Sequence, residues 1–198
     1  MAAEAYASAN ALARRSLEQA EAAAYHDVFA AAPLGAAARA QLRMRLTAYR
    51  RRAAAKLLRG VPRLPRFVTG FDVGVASAEH AEEVGFLIAA AFELPAAAEP
   101  AFSCLVGRPG WTCHVALREG EPVAAAMLHA ASRIGWLGFA ATRPDRRGHG
   151  AHSALVATRL SAATAAGCWS VVAECAVEGA ARRNLERAGF EVAYVRAS

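Results

Sequence analysis

From Gly138 to Leu155 the chain reads Gly-Phe-Ala-Ala-Thr-Arg-Pro-Asp-Arg-Arg-Gly-His-Gly-Ala-His-Ser-Ala-Leu, an apolar segment that passes through an Arg/Gly-rich turn into a run of small helix formers. A strand that enters a helix through such a turn suits phosphate. The first N–H groups of the helix are unpaired, they point outward, and the helix dipole adds partial positive charge where they point. Gly148 and Gly150 permit close approach of an anion, and Arg147 can stand across from it. Two familiar phosphate loops are excluded by spacing. A Walker loop ends in Gly-Lys-Ser/Thr, but the only lysine is Lys56, far upstream; a dinucleotide fingerprint needs a third glycine where Ser153 stands.

Elements on either side must position that loop. Downstream, residues 154–166 form a helical stretch with Leu155, Val156 and Leu160, stopped by Gly167. Residues 169–175 read as a buried strand, 179–188 as a short basic helix closed by Gly189, and 190–195 as an alternating last strand. Upstream, 79–92 and 100–106 are helix candidates and 107–111 is a turn. Residues 112–117 and 122–130 are two strands around the hairpin signal Glu119-Gly120, and 132–142 is the strand that enters the loop. Residues 67–75 supply a first strand.

The loop resembles the acyl-CoA loop of the GNAT superfamily of N-acetyltransferases, Gln/Arg-x-x-Gly-x-Gly/Ala after a strand ending near Val-x-Pro. Here it reads Arg147, Gly150 and His152, preceded by Thr142-x-Pro144, and His152 departs from the small residue usual at its position. The run Asn184 to Phe190 is similar to a second GNAT signature, a helix ending in Gly-Phe. The resemblance covers roughly residues 67–198. It implies an α/β (α+β) GNAT fold, a mixed, mostly antiparallel sheet flanked by helices, with residues 1–66 as an Ala/Arg-rich helical extension.

The same resemblance implies acetyl-CoA as acyl donor and a primary amine of a small molecule or peptide as acceptor. By position, the backbone of Phe139, Ala140, Ala141 and Thr142 would meet the pantetheine arm and the thioester. Arg147, Gly148, His149, Gly150, Ala151 and His152 would hold the pyrophosphate, with Arg143 and Arg146 as candidates for a further phosphate. Glu174 lies in an otherwise apolar strand, where a carboxylate must be paired, reached by solvent or functional. It is a candidate general base, working through water, and equally a buried partner of Arg182, Arg183 or another arginine. His129, titrating near pH 6.5 when unperturbed, is a second candidate base, although a satisfied strand-end histidine is the blander reading. The tyrosine that protonates the thiolate in many relatives is replaced by Leu185, and Tyr194 is a candidate substitute. A protein that binds acyl-CoA without efficient transfer, as a sensor or interaction module, is the competing function.

Composition limits the alternatives. The chain has 198 residues, enough for one domain with an extension. Its hydrophobic content of 56% is dominated by alanine, and no run approaches the roughly 18–20 apolar residues of a membrane span. The N-terminus lacks the pattern of a secretory signal, so the cytoplasm is the default compartment. Cys104, Cys113, Cys168 and Cys175 show no metal spacing and read as free buried thiols; no metal is assigned. The net charge of +6 arises between Asp27 and Asp72, where ten basic residues meet no acidic one. Only Tyr49 interleaves that cluster, which favours a solvated face over a nucleic-acid surface. Before Pro33 the large apolar groups are mainly Leu12, Leu17, Tyr25, Val28 and Phe29, so this segment must dock on the rest of the chain or on a second copy in a homodimer. Pro62 and Pro65 mark the expected linker.

Overall fold

A computed structural model describes residues 2–60 and 70–197. The expected linker prolines Pro62 and Pro65, residues 67–69 of the expected first strand and the side chain of Leu12 lie outside what it describes. In chain order the elements are α1 (Ala2–Ala31), α2 (Ala36–Arg51), β1 (Ala54–Gly60), β2 (Asp72–Val75), α3 (Ala81–Ala91) and α4 (Pro100–Ser103). There follow β3 (Trp111–Arg118), β4 (Glu121–Ala131), β5 (Ile134–Thr142), α5 (Ala151–Ala165), β6 (Ser170–Ala176), α6 (Ala180–Arg187) and β7 (Glu191–Arg196).

The strands among the described residues form one seven-stranded sheet in the order β2-β3-β4-β5-β6-β1-β7. Every neighbouring pair is antiparallel except β5 and β6, which run parallel. The β3–β4 hairpin closes through Glu119 and Gly120, both at positive φ (56° and 84°), the geometry a two-residue turn with matching twist requires. Side chains alternate across the pleat. Met127 enters the core under α1 to α4 with Tyr25, Leu42, Ile88, Phe102 and Trp136. Its neighbour Leu128 enters the opposite core, under α5 and α6, with Val156, Leu160, Leu185 and Phe190. Helices therefore cover both faces, and the loop after β5 opens at the end of a three-layer stack.

Residues 54–60, expected to belong to the helical extension, instead form a strand within the sheet. β1 pairs with β6 from Ala54↔Ala176 to Gly60↔Ser170 and with β7 from Ala54↔Arg196 to Leu58↔Glu191. Ala-Ala-Lys-Leu-Leu-Arg-Gly has little strand propensity of its own. Pairing on both edges and burial of Ala55 and Leu57 override that preference. Helix α1 is anchored on the sheet at the other end of the segment. Arg39 reaches back to Phe29 O in its last turn and to the loop that follows, with Nη2 donating to Ala32 O at 2.9 Å and Leu34 O at 3.2 Å. Asp27 of α1 accepts a bond from Trp111 Nε1 at 2.9 Å.

Candidate active site

The site begins where β5 and β6 part. Their parallel pairing runs from Ile134↔Ser170 to Leu137↔Ala173 and stops. Beyond that rung, β5 keeps β4 on one side and, among the described residues, has no strand on the other. Between Met127↔Gly138 and Ala125↔Ala141 the β4–β5 register shifts, so Phe139 and Ala140 stand opposite Ala126 alone, a bulge. Phe139 adopts φ 46°, a left-handed conformation costly for a residue with a side chain. The adjacent Gly138 is required by close approach, since a Cβ there would lie 1.8 Å from the Trp136 indole.

The phosphate-type loop follows β5 as the sequence implies. A short turn over Pro144–Arg146 leads to Gly148 (φ 83°) and Gly150 (φ 92°), the latter immediately before α5. Both positions favour glycine, and they aim the loop at a groove of about 610 Å³. Ala140, Ala141, Thr142, Arg146, Arg147, Gly148, Gly150, Ala151 and His152 line this groove, and Arg183, Asn184 and Arg187 of α6 close its far wall. Arg147 Nε donates to Thr142 O at 3.3 Å, which folds the side chain back along the loop. Arg143 and Arg146 both lie against Asp145, at 3.3 and 3.2 Å. His149 is the exception among the expected loop residues. It faces Gly70, Phe71, Arg118 and Glu119 on the other side, because the left-handed glycines around it turn its side chain away from the groove.

His152 stands where a small residue was the family's norm. Its Nδ1 accepts a bond from Asn184 Nδ2 at 3.1 Å, an orientation fixed by Arg187, which donates to the Asn184 Oδ1. Burial, and then the Arg159 charge, push its pKa down to about 4, so the ring is neutral at pH 7 with its proton on Nε2.

A second cavity of about 270 Å³ continues from this groove, sharing Ala140, His152 and Ala181 with it. It fills the crotch between β5 and β6. Tyr25 of α1, Tyr49 of α2, Phe92, Trp136 and Phe139 form an aromatic wall, and Glu174, Leu185 and Arg159 lie around it. Phe139 centres the ring cluster, with Tyr25, Phe92, Phe102 and Trp136 at centroid distances of 5.1–5.7 Å. The two N-terminal helices thus complete the cavity.

The three candidate acid–base residues are not brought together. Glu174 does line the cavity, but its carboxylate is bound by Lys56 and by Arg196 Nη2 at 3.0 Å. The carboxylate is paired, with Lys56 and Arg196 rather than Arg182 or Arg183; Arg182 pairs with Glu186 instead. Lys56, 1% exposed, also binds Glu21 of α1, which takes Arg50 as a further partner at 3.0 Å. Burial and the Glu21 charge hold the Glu174 pKa above the carboxylate range, whereas for Glu21 the Lys56 and Arg50 charges outweigh burial and hold it below. Tyr194 lies one strand further out, because β1 separates β7 from β6. Its hydroxyl donates to Glu18 at 3.2 Å, in a different recess, and burial raises its pKa to about 12. His129 sits near the opposite end of β4, tilted against the Trp111 ring with centroids 4.7 Å apart and with Nε2 3.8 Å from Asp27. Burial lowers its pKa. Neither residue lines the cavity.

Sequence reasoning missed Lys56, Tyr25, Tyr49 and Arg159. For Arg159 a signal existed. It shares the helical face of Leu155, Leu160 and Ala163, all fully buried, where an arginine must have carbonyl or acidic partners.

The model of the acetyltransferase (GNAT) family matches residues 77–190. Among solved structures, the chain is similar to a GCN5-related N-acetyltransferase from Kribbella flavida, with TM-score 0.56 and 21% identity over 72% of this chain and 55% of that one. It is similar as well to a GCN5-related N-acetyltransferase from Sphaerobacter thermophilus, with TM-score 0.58 and 19% identity over 76% of this chain and 52% of that one. A third likeness is to AAC(6')-Iy in complex with the bisubstrate analogue CoA-S-monomethyl-acetylneamine, with TM-score 0.56 and 18% identity over 63% of this chain and 92% of that one. The chain thus spans little more than half the length of the first two. No curated protein matches it.

Proposed function

The chain belongs to the acetyltransferase (GNAT) family, and on that footing we propose that it transfers the acetyl group of acetyl-CoA to the primary amine of a small molecule. One observation carries the reading. A groove lined by glycines and arginines at the start of α5 adjoins a cavity at the parting of β5 and β6, the two sharing Ala140, His152 and Ala181.

The residues present fit the donor. Left-handed Gly148 and Gly150, the N-terminus of α5 and Arg147 make a cradle for a pyrophosphate. Bound there, acetyl-CoA supplies an activated acyl group as a thioester. The edge of β5 beyond Leu137, unpaired among the described residues, offers backbone groups to an extended chain as an added strand would, and the Phe139 bulge lines the cavity beside it. His152, neutral and with Nδ1 engaged by Asn184, donates only from Nε2, which suits it to a hydrogen bond on the donor rather than to the role of base. Glu174, ion-paired by Lys56 and Arg196, anchors the β6 side of the cavity.

The acceptor side is small, aromatic and without free negative charge. Arg159 adds a guanidinium with no acidic partner among the described residues. An ammonium gains little there, so the amine enters as the free base. A cavity of about 270 Å³ walled by Tyr25, Tyr49, Phe92 and Trp136 favours a compact apolar amine over a peptide side chain. The competing reading, a protein that binds acyl-CoA without efficient transfer, is favoured by Leu185 and by the locked carboxylate of Glu174.

A panel of arylalkylamines, alkylamines, aminoglycosides and lysine peptides, assayed with acetyl-CoA by thiol release, separates these readings. Turnover is expected with the compact apolar amines, kcat/KM rising with pH toward the amine's own pKa. Binding of acetyl-CoA without turnover on any amine would favour the sensor.

A further inference from the structure

Arg159 is 1% exposed, sits two turns into α5, and lines the cavity where β5 and β6 part. Its Nε donates to Leu155 O of its own helix at 3.0 Å. Its Nη1 donates to Met127 O on β4 at 3.3 Å and, more weakly, to Gly138 O on β5 at 3.5 Å. Met127 and Gly138 face each other in the last rung before the Phe139 bulge. A guanidinium in so dry a place ordinarily brings a carboxylate with it, yet here three carbonyls serve instead, and no acidic side chain pairs with it among the described residues. Burial pulls its pKa down to about 9, which leaves it charged at neutral pH.

Resting on the proposed acetyl transfer, we infer that Arg159 is a positioning residue for the reaction: it pins the β5 bulge and polarises the peptide unit whose amide faces the thioester carbonyl. The carbonyl of Gly138 and the N–H of Phe139 belong to one trans peptide unit and leave it on opposite sides. Sharing Nη1 with Met127 O turns the Gly138 carbonyl toward β4, so the Phe139 N–H leaves toward the side that β6 has vacated. A cation on the carbonyl of a peptide strengthens its N–H as a donor, because hydrogen bonds in series polarise one another. The same charge lies behind the cavity in a low-dielectric setting, where negative charge developing on a thioester oxygen is stabilised without reorganisation. The glycine at 138 and the strained φ at 139 are the backbone counterparts of this contact.

The test is difference infrared spectroscopy of acetyl-CoA carrying a 13C carbonyl, bound to the wild-type protein, Arg159→Met and Arg159→Lys, together with kcat and KM on an accepted amine. The wild type is expected to lower the carbonyl stretch relative to water, Arg159→Lys to keep most of that shift, and Arg159→Met to lose it. For Arg159→Met, kcat should fall about a hundredfold while KM for acetyl-CoA stays within about threefold, and lysine should recover about tenfold. Should Arg159→Met fail to fold, Arg159→Gln takes its place, keeping an amide donor without the charge. A folded neutral variant with the wild-type stretch and kcat overturns the inference, as does an unshifted stretch in the wild type. A wild type that binds no acetyl-CoA removes the acetyl-transfer reading itself, an outcome separable from either of these.

Discussion

Lys56 is the only lysine in the chain and one of its most buried residues, held between Glu21 of α1 and Glu174 of β6. Its contribution is the avoidance of a cost. Without it, two carboxylates would face each other in a site that water hardly reaches. Lys56→Met should therefore destabilise the fold by about 3–5 kcal/mol, the penalty of uncompensated buried charge, read as a lower urea midpoint; an unchanged midpoint would mean that Arg50 and Arg196 suffice. In the sequence, Glu174 was legible as a carboxylate in an apolar strand that needed a partner. The partner was not, because Lys56 stands in a basic run that looked like a solvated face, and Tyr194 looked adjacent to the site because nothing revealed the strand that intervenes. Positive φ at Gly120 could be read from residue type, whereas at Glu119 and Phe139 it could not, since residues with a long or aromatic side chain rarely occupy that region.

At the scale of elements, the loop, the hairpin and the order from β2 to β7 were readable because each carries a local signal: glycines at fixed offsets, an alternating run, a helix stop. β1 carries none, and its strand state is dictated by what lies on either side. It occupies the centre of the β6–β1–β7 half of the sheet, with Ala55 and Leu57 fully buried. A chain shortened to start after Gly60 should expose two unpaired edges at β6 and β7 and strip the aromatic wall of Tyr25 and Tyr49. It is expected to lose cooperative thermal unfolding, monitored by circular dichroism. A sharp, wild-type-like transition in that shortened chain would show that residues 2–60 are an appendage.

Across the whole molecule, the basic segment divides between structure and solvent: Arg39 and Arg50 tie α2 to α1 and Lys56 ties α1 to the sheet, while Arg43, Arg45, Arg51 and Arg52 are exposed. No described helix is long and apolar enough to cross a membrane. Acid sensitivity is built in at two histidines, both beside the Arg159 charge. Burial drives the pKa of both His114 and His152 from 6.5 down to about 4. In the unfolded chain they take up protons near pH 6.5, whereas the folded protein refuses them until about pH 4. Their contribution is complete above pH 6.5 and is lost as pH falls through that window. The melting temperature should decline from pH 6.5 to 4, and His114→Gln should flatten part of the slope; an identical slope in that variant would locate the acid response elsewhere.

The most direct test of the acyl-CoA groove is calorimetric titration of acetyl-CoA into the wild-type protein and into Gly150→Val, whose new side chain must be held at the left-handed φ of 92° where the loop meets α5. Micromolar binding by the wild type and none by the variant is expected, with closely similar circular dichroism spectra for the two. Equal binding by both, or no binding by the wild type, would contradict the acyl-CoA groove.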